Sequence, residues 1–213
     1  MIVLAGTIGA GKTSLTHLLA DHLGTQGFYE SVDDNPILPL FYKDPQKYGF
    51  LLQIYFLNRR LKEIAAAEAN PLNVLDRSIF EDRLMFRMNA DLGRATGTEA
   101  DIYSSLLDNM LEELPDQPHT KTPSLLIHIQ VSFETMLNRI KKRGRAYEQI
   151  ETDPSLYQYY QELNRRYADW YDQYSASPKM LIDGDQYNFV EDPAAASEVL
   201  KMVDQKISKL NLK

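Results

Sequence analysis

Short apolar runs alternate with longer segments of helical periodicity along this chain. The runs with strand character are Ile2–Ala5, Phe28–Glu30, Asn73–Asp76, Ser124–Val131 and Met180–Asp183. Between them, apolar residues recur at every third and fourth position, which is the period of a helix that covers a core. The alternation predicts an α/β fold with a doubly wound, five-stranded parallel sheet flanked by helices on both faces.

The helical segments have predictable boundaries. The predicted helices span 14–23, 46–69, 79–89, 99–114, 133–142, 154–174 and 193–210. Ser132 is a predicted N-cap, and Pro154 and Pro193 suit the first turn of a helix. Polar, proline-containing loops are predicted over 33–41 and 115–123.

Length, charge and cysteine content narrow the class of protein. A chain of 213 residues without an internal repeat predicts a single domain over 1–213. The formal charge of −7 argues against non-specific nucleic-acid binding, and the lack of cysteine excludes disulfides and thiolate chemistry. No run approaches about 18 consecutive apolar residues, so no membrane span is predicted. The N-terminus shows no secretory signal, and we therefore expect a cytoplasmic protein.

The first predicted strand runs into a glycine-rich motif. The sequence Gly6-Thr7-Ile8-Gly9-Ala10-Gly11-Lys12-Thr13, followed by Ser14, matches G-x-x-x-x-G-K-[ST] at every fixed position. In this motif, backbone N–H groups at the start of a helix surround phosphate oxygens. Lys12 is expected to reach the β- and γ-phosphates, and the Thr13 hydroxyl is expected to bind Mg²⁺. The motif predicts a fold of the P-loop NTPase type and a site for a nucleoside triphosphate.

Carboxylates are the last residues of the second and third predicted strands. The carboxyl ends of parallel strands share the crevice that holds the P-loop. Glu30 at one such end is a candidate general base for an alcohol acceptor, although its position alone also suits a solvated loop residue. Asp76 at the next is a candidate second ligand for Mg²⁺, and Arg77 is expected to point toward the phosphates.

The predicted helix over 46–69 carries two polar residues on an apolar face. Gln53 and Arg60 lie about 10 Å apart on this face, at 1.5 Å rise per residue. Polar groups in such surroundings need partners, and hydrogen bonds to a nucleobase would supply them.

A basic run at 139–145 ends the predicted helix over 133–142. Arg139 and Arg143 share a helix face, Arg145 follows, and Gly144 can act as a hinge. The run suits a solvated helix end, because cations favour a helix C-terminus. It equally suits an arginine-rich lid over about 139–153 that reaches the transferring phosphate.

Together these motifs resemble the deoxyribonucleoside kinase family, most closely its bacterial deoxyadenosine/deoxyguanosine kinases. The matching segments are 6–13, 30–36, 42–45, Gln53 with Arg60, 76–78 with Asp82, 139–145 and 183–185. Their order and spacing extend over nearly the whole chain. One departure is Ser31, where many relatives have proline after the glutamate.

The resemblance implies a role for each matching residue. It implies catalysis by Glu30, Arg77 and Lys12, with Glu30 as the base that deprotonates a 5′-hydroxyl. It implies ATP binding by the P-loop residues and Ser14, by Arg139, Arg143 and Arg145 of the lid, and by Asp185 beside the donor base. For the nucleoside it implies Tyr42 and Glu148 at the sugar, Gln53, Arg60 and Asp82 at the base, and Glu30 with Arg77 at the reacting hydroxyl. Mg²⁺ would be bound by Thr13 and Asp76, and a homo- or heterodimer would form through helices that include 46–69.

The leading hypothesis is transfer of the γ-phosphoryl group of ATP to the 5′-hydroxyl of a purine deoxynucleoside, with Mg²⁺ as cofactor. A nucleoside monophosphate kinase is the first alternative, but it would be expected to have arginines in place of Glu30 and Tyr42. A GTP-driven switch would need an N-K-x-D motif, which the chain lacks. A non-catalytic nucleotide-binding subunit is the remaining alternative, against which intact Lys12 and Asp76 argue.

Overall fold

The sheet has its first strand at the centre. The computed structural model describes residues 1–30, 34–112 and 122–212, so Ser31 and most of the predicted loop at 115–123 lie outside the described residues. The strands are β1 (Ile2–Ala5), β2 (Gly27–Phe28), β3 (Val74–Asp76), β4 (Leu125–Gln130) and β5 (Lys179–Asp183). They lie in the order β2-β3-β1-β4-β5, and each neighbouring pair is parallel. The predicted sheet is confirmed.

Helices cover both faces of the sheet. They are α1 (Lys12–Leu23), α2 (Leu38–Lys43), α3 (Pro45–Ala67), α4 (Ile79–Asp91), α5 (Gly97–Glu112), α6 (Phe133–Arg143), α7 (Ser155–Gln173) and α8 (Pro193–Lys209). A 3-10 turn spans Ala146–Glu148 and was not predicted. Within the described ranges, none of the helices combines the length and the apolar character needed to cross a membrane.

The side chains of β1 alternate between two layers of helices. Ile2 and Leu4 pack in a core built mainly with α1, α6, α7 and α8, whereas Val3 and Ala5 pack against α3, α4 and α5. All four side chains are buried, because a parallel strand covered on both faces has no solvated side. The first strand therefore holds the loop that follows it in a rigid position.

The predicted loop over 33–41 is wrong in its second half, where α2 begins. Asn35 Oδ1 accepts hydrogen bonds from the N–H groups of Ile37 and Leu38 at 2.9 and 3.1 Å, and these bonds start the helix. Leu38 and Phe41 are buried against neighbouring helix α3. Tertiary packing stabilises α2, which has only six residues and is too short to show a helical period of apolar residues in the sequence.

The end of β2 also differs from its prediction. The strand pairs with β3 only through Gly27 and Phe28, so Glu30 lies in the loop that follows and not in the strand. The loop position leaves the Glu30 side chain free to turn toward the P-loop side of the sheet.

Candidate active site

The carboxyl ends of the strands open into one large cavity. From β1 the chain crosses to β2 and β3 on one side, whereas β4 and β5 lie on the other, so the loop after β1 is at the switch point of the sheet. The cavity has a volume of about 750 Å³. All predicted site residues line it except Gly6, Thr7, Ala10, Arg60 and Asp185.

The P-loop backbone adopts conformations that glycine permits. Gly6 and Gly11 have φ angles of +148° and +103°. A Cβ atom on Gly6 would lie 2.7 Å from the carbonyl oxygen of Ile129, and one on Gly11 would lie 3.0 Å from the Phe189 ring. Both glycines of the motif are therefore required by the path of the loop and by its close neighbours.

Lys12 closes over the loop that precedes it. Its Nζ donates to the carbonyl oxygens of Gly6 and Thr7 at 2.8 and 2.9 Å. Burial, reinforced by the charge of Arg77, lowers the pKa of Lys12 to about 8. The ammonium group therefore lies beside the P-loop, where it is hydrogen-bonded to carbonyl oxygens of the loop itself.

Thr13 and Asp76 meet beside the lysine. Thr13 Oγ1 donates to Asp76 Oδ2 at 2.6 Å, and Asp76 is buried at the end of β3. Burial raises the pKa of Asp76, and the charge of Lys12 opposes this rise. The two predicted metal ligands are therefore adjacent, as the P-loop motif requires.

Glu30 is held between two arginines. Arg60 Nη2 donates to Glu30 Oε1 at 2.7 Å, and Arg77 Nε donates to Glu30 Oε2 at 3.1 Å. Burial alone would raise the pKa of Glu30, but the charges of Arg77 and Arg60 outweigh it and lower the pKa to about 2. The carboxylate is therefore ionised at neutral pH and has a defined orientation.

Arg77 combines this contact with an unusual backbone. Its φ of +83° is in the left-handed region, which is costly for a residue with a side chain. The conformation is held from both sides, because Arg77 N–H donates to the Leu4 carbonyl at 3.0 Å and Arg60 Nη1 donates to the Arg77 carbonyl at 3.1 Å. Such over-determined strain is a feature of functional sites.

Arg60 lies behind the cavity and not on its surface. Besides its bond to Glu30, its Nε donates to Asp82 Oδ2 at 3.0 Å, and the side chain is only 2% exposed. Burial raises the pKa of Asp82 to about 6, although the charge of Arg60 opposes this rise. The arginine thus orients two carboxylates that do line the cavity. The prediction that it reads the base stays untested.

Part of the cavity lining lies on α3 and α4 and was not predicted from the sequence. Phe56 lies one turn after Gln53 on α3, and Met85 and Asn89 lie on the face of α4 that carries Asp82. The signal was available, since residues three, four and seven positions apart share a helix face.

The lid arginines are paired with protein groups. Arg143 donates through Nε and Nη2 to Glu148 Oε2 at 3.1 and 2.5 Å. Arg145 Nη1 lies 3.6 Å from Glu148 Oε1. Gly144, with a φ of +74°, ends α6 between these two arginines, so it occupies the predicted hinge position.

Arg139 and Asp185 connect α6 to neighbouring loops by hydrogen bonds. Arg139 donates to the carbonyl oxygens of Ala10 and Gly184 at 3.0 and 2.8 Å and therefore connects α6 to the P-loop. Asp185 Oδ2 accepts from Ser132 N–H at 2.8 Å at the start of α6. Arg139 lines the cavity, whereas Asp185 orients the loop after β5 from outside it.

The predicted sugar site lies beside the lid. Tyr42 lines the cavity and its ring packs on Tyr147 with 4.9 Å between ring centroids. Glu148 is buried, and its carbonyl oxygen accepts from Tyr160 Oη at 3.0 Å. Burial raises the pKa of Tyr42 well above its usual value, so its hydroxyl is a neutral donor and acceptor next to a carboxylate.

This fold and site define a phosphotransferase of the P-loop type. A sequence model of the family described as "Deoxynucleoside kinase" matches residues 2–208, and the chain therefore belongs to the deoxynucleoside kinase family. The alternatives of a GTP-driven switch and of a non-catalytic nucleotide-binding subunit are therefore rejected. The chain is an enzyme of the phosphotransferase class with an alcohol as acceptor.

Individual relatives match over almost the full chain. A deoxyguanosine kinase of Lactobacillus johnsonii is 56% identical over 210 residues, which are 99% of this chain and 93% of that protein. A deoxyadenosine kinase of Lactobacillus acidophilus is likewise 56% identical over 210 residues, with coverage of 99% and 97%. A solved structure of M. mycoides deoxyadenosine kinase with bound dATP has a TM-score of 0.78 at 29% identity and covers 97% of this chain and 98% of that one.

Proposed function

We propose that the protein transfers the γ-phosphoryl group of ATP to the 5′-hydroxyl of a purine deoxynucleoside. The observation that carries this proposal is the ionised carboxylate of Glu30, which is held by two arginines in the cavity that Lys12 also lines. A carboxylate at this point attracts a hydroxyl and repels a phosphate. A neutral alcohol is therefore favoured over a nucleoside monophosphate as the acceptor.

Glu30 accepts the proton in this mechanism. O5′ attacks the γ-phosphorus while the bond to the bridging oxygen of ADP breaks, and the proton of the hydroxyl passes to a Glu30 oxygen. A group with a pKa of about 2 is a weak base. It suits late proton transfer, because the hydroxyl becomes acidic only as its bond to phosphorus forms in a loose transition state. Arg77 keeps the carboxylate ionised and oriented.

Mg²⁺ fits beside Thr13 and Asp76. Their oxygens lie 2.6 Å apart at the cavity, and hard oxygen ligands suit this ion. Among residues 1–30, 34–112 and 122–212 there is no group of three or more His, Cys, Asp or Glu side chains arranged for a metal. The nucleotide phosphates and water would therefore complete the coordination. When bound, the ion would neutralise charge on the β- and γ-phosphates.

A purine is the proposed base. The chain is 56% identical both to a relative named for deoxyguanosine and to one named for deoxyadenosine, so identity does not separate the two bases. Asp82 can accept from a base N–H, and Gln53 can donate and accept. Phe56 and Met85 supply an apolar wall for the ring faces. Tyr42 and Glu148 are proposed to hold the 3′-hydroxyl of the sugar.

A dimer is proposed through α3 and its neighbour α5. Leu51 on α3 and Ile102 on α5 are 48% and 55% exposed, respectively. Exposed apolar residues on adjacent helices suit a surface that a second chain covers. Light scattering at several protein concentrations tests this, and a mass of one chain at every concentration would contradict it.

The decisive experiment is a substrate panel with ATP and Mg²⁺. It contains the four deoxynucleosides, the corresponding ribonucleosides and the purine monophosphates, with phosphorylated products identified by mass spectrometry. We expect 5′-monophosphates of deoxyadenosine, deoxyguanosine or both to form fastest. Phosphorylation of monophosphates only would replace the proposal by a nucleoside monophosphate kinase.

A further inference from the structure

A buried carboxylate outside the predicted site joins the P-loop to the loop that carries Arg77. Glu81, in the first turn of α4, is fully buried. Its Oε1 accepts from Gly6 N–H at 3.0 Å and its Oε2 accepts from Ser78 N–H at 2.7 Å. Sequence reasoning had given this residue no role.

The two N–H groups belong to the two halves of the proposed reaction site. Gly6 begins the phosphate cradle, and its φ of +148° sets the direction in which the loop leaves β1. Ser78 directly follows Arg77, whose strained backbone places the guanidinium on Glu30. One side chain therefore fixes the start of the donor cradle relative to the residue that orients the proton acceptor.

A second glutamate in the chain shows what an ordinary helix cap looks like. Ser78 and Glu81 form a capping box at the start of α4. Thr96 and Glu99 make the same reciprocal pair at the start of α5, where Glu99 accepts from Thr96 N–H at 2.7 Å. The hydrogen bonds between Glu99 and Thr96 lie within a single turn on the protein surface. Of the two capping glutamates, only Glu81 also accepts a hydrogen bond from a distant segment, from the N–H group of Gly6, 75 positions away.

We infer that Glu81 is a positioning residue for phosphoryl transfer, which sets the distance between the triphosphate cradle and the Glu30–Arg77 pair. The inference rests on the proposed function, in which the P-loop binds the phosphoryl donor and the Glu30–Arg77 pair binds the acceptor hydroxyl. Two bonds from one carboxylate hold both ends more rigidly than separate partners would, because the side chain is packed on all sides.

The test compares Glu81→Gln with Glu99→Gln. Both changes remove one capping-box carboxylate, but only the first disturbs Gly6, because an amide offers one oxygen and turns an NH₂ group toward the other N–H donor. We expect Glu81→Gln to lower kcat at least about tenfold, since small misplacements of reacting groups are costly. The dissociation constant of the deoxynucleoside should change less than twofold. Glu99→Gln should keep the wild-type kcat.

Amide spectra and a second variant complete the test. In spectra of the ¹⁵N-labelled protein, the Gly6 amide should shift in Glu81→Gln and stay in place in Glu99→Gln. If Glu81→Gln does not fold, Glu81→Asp replaces it, because the shorter carboxylate can still cap Ser78 but falls short of Gly6. A folded Glu81 variant with wild-type kcat would overturn the inference. A wild-type protein that phosphorylates no deoxynucleoside would reject the proposed function instead.

Discussion

The two walls of the cavity are held by different kinds of interaction. The wall formed by the P-loop, β3 and the start of α4 contains buried charges whose partners are also buried, such as Asp82 with Arg60, which lies behind it on α3. The wall formed by the end of α6 and the 3-10 turn carries arginines that are partly exposed, with the Arg143 side chain 34% exposed. Their partners are the Glu148 carboxylate and the backbone carbonyls of Ala10 and Gly184.

This difference separates charged groups that the fold already holds in place, which we call preset, from charged groups that would share or exchange partners when substrate binds. Charges in a buried network are held before substrate arrives, so they cost no reorganisation during the reaction. Arg143 donates to Glu148 through Nε and Nη2, at 3.1 and 2.5 Å, so a bound phosphate would share this arginine with the carboxylate or displace the carboxylate. Under the proposed function, we therefore expect the first wall to set the chemistry and the second to close over the phosphates.

The largest effect is expected on the preset wall, from Glu30→Gln. The change removes the proposed proton acceptor and should lower kcat at least about 100-fold, the low end for losing a general base, while the dissociation constant of the deoxynucleoside changes little. Steady-state kinetics and calorimetry measure the two quantities. Glu148→Gln is the matched carboxylate on the other wall and should act mainly on KM. Wild-type turnover in Glu30→Gln would make another group the base.

Arg143→Ala tests the closing wall and should have a smaller effect. We expect kcat to fall about 30-fold, less than for loss of a preset donor because Arg139 and Arg145 remain. Lys141→Ala is the control, since Lys141 lies at the same helix end and pairs with exposed Glu151. Rapid-quench kinetics separate chemistry from product release. Equal rates in the two variants would show that the basic helix end is only solvated.

Asp82→Asn should alter selectivity more than rate. The amide keeps the volume of the side chain but presents a donor where the carboxylate had only acceptors. We expect the ratio of kcat/KM between the preferred and the next-best deoxynucleoside to fall about tenfold. Competition assays with mixed deoxynucleosides measure this ratio. An unchanged ranking would remove Asp82 from base recognition and leave it as a partner of Arg60.

The smallest expected effect is on the free energy of unfolding and comes from His128, which belongs to neither wall. His128 on β4 is 1% exposed and stacks on Tyr171 with 4.9 Å between ring centroids. Burial, together with the charge of Lys12, lowers the pKa of His128 to about 4. As pH falls, His128 is protonated in the unfolded chain before it is protonated in the fold. The contribution of neutral His128 to the free energy of unfolding is therefore lost as pH falls from about 6.5 toward 4.

His128→Phe should remove this part of the acid sensitivity. From the two pKa values, the wild type should lose about 2 kcal/mol more unfolding free energy than the variant between pH 7.5 and pH 5. Urea titrations at both pH values give the double difference, in which other titrating groups cancel. Parallel pH dependence in the two proteins would mean that His128 is protonated as readily in the fold as in the unfolded chain.

Much of the site was predictable because its signals are local. The P-loop motif, the carboxylates Glu30 after β2 and Asp76 at the end of β3, and the basic end of α6 can each be recognised within a few residues of sequence. Parallel strands then bring their carboxyl ends to one edge. The helix α2 and the Glu81–Gly6 bond were not predictable in this way, since each depends on contacts between distant segments.

The sequence alone predicted the five strands, all helices except α2, the glycine-rich P-loop and the family, because glycine spacing and apolar periodicity are properties of the local chain. Only the tertiary structure decided which polar residues face the cavity. Arg60 shares a helix face with Gln53, yet it lies behind the surface, because the buried carboxylates Glu30 and Asp82 require a buried cation between them. Charge neutralisation in a buried site is a collective requirement that no single segment of sequence expresses.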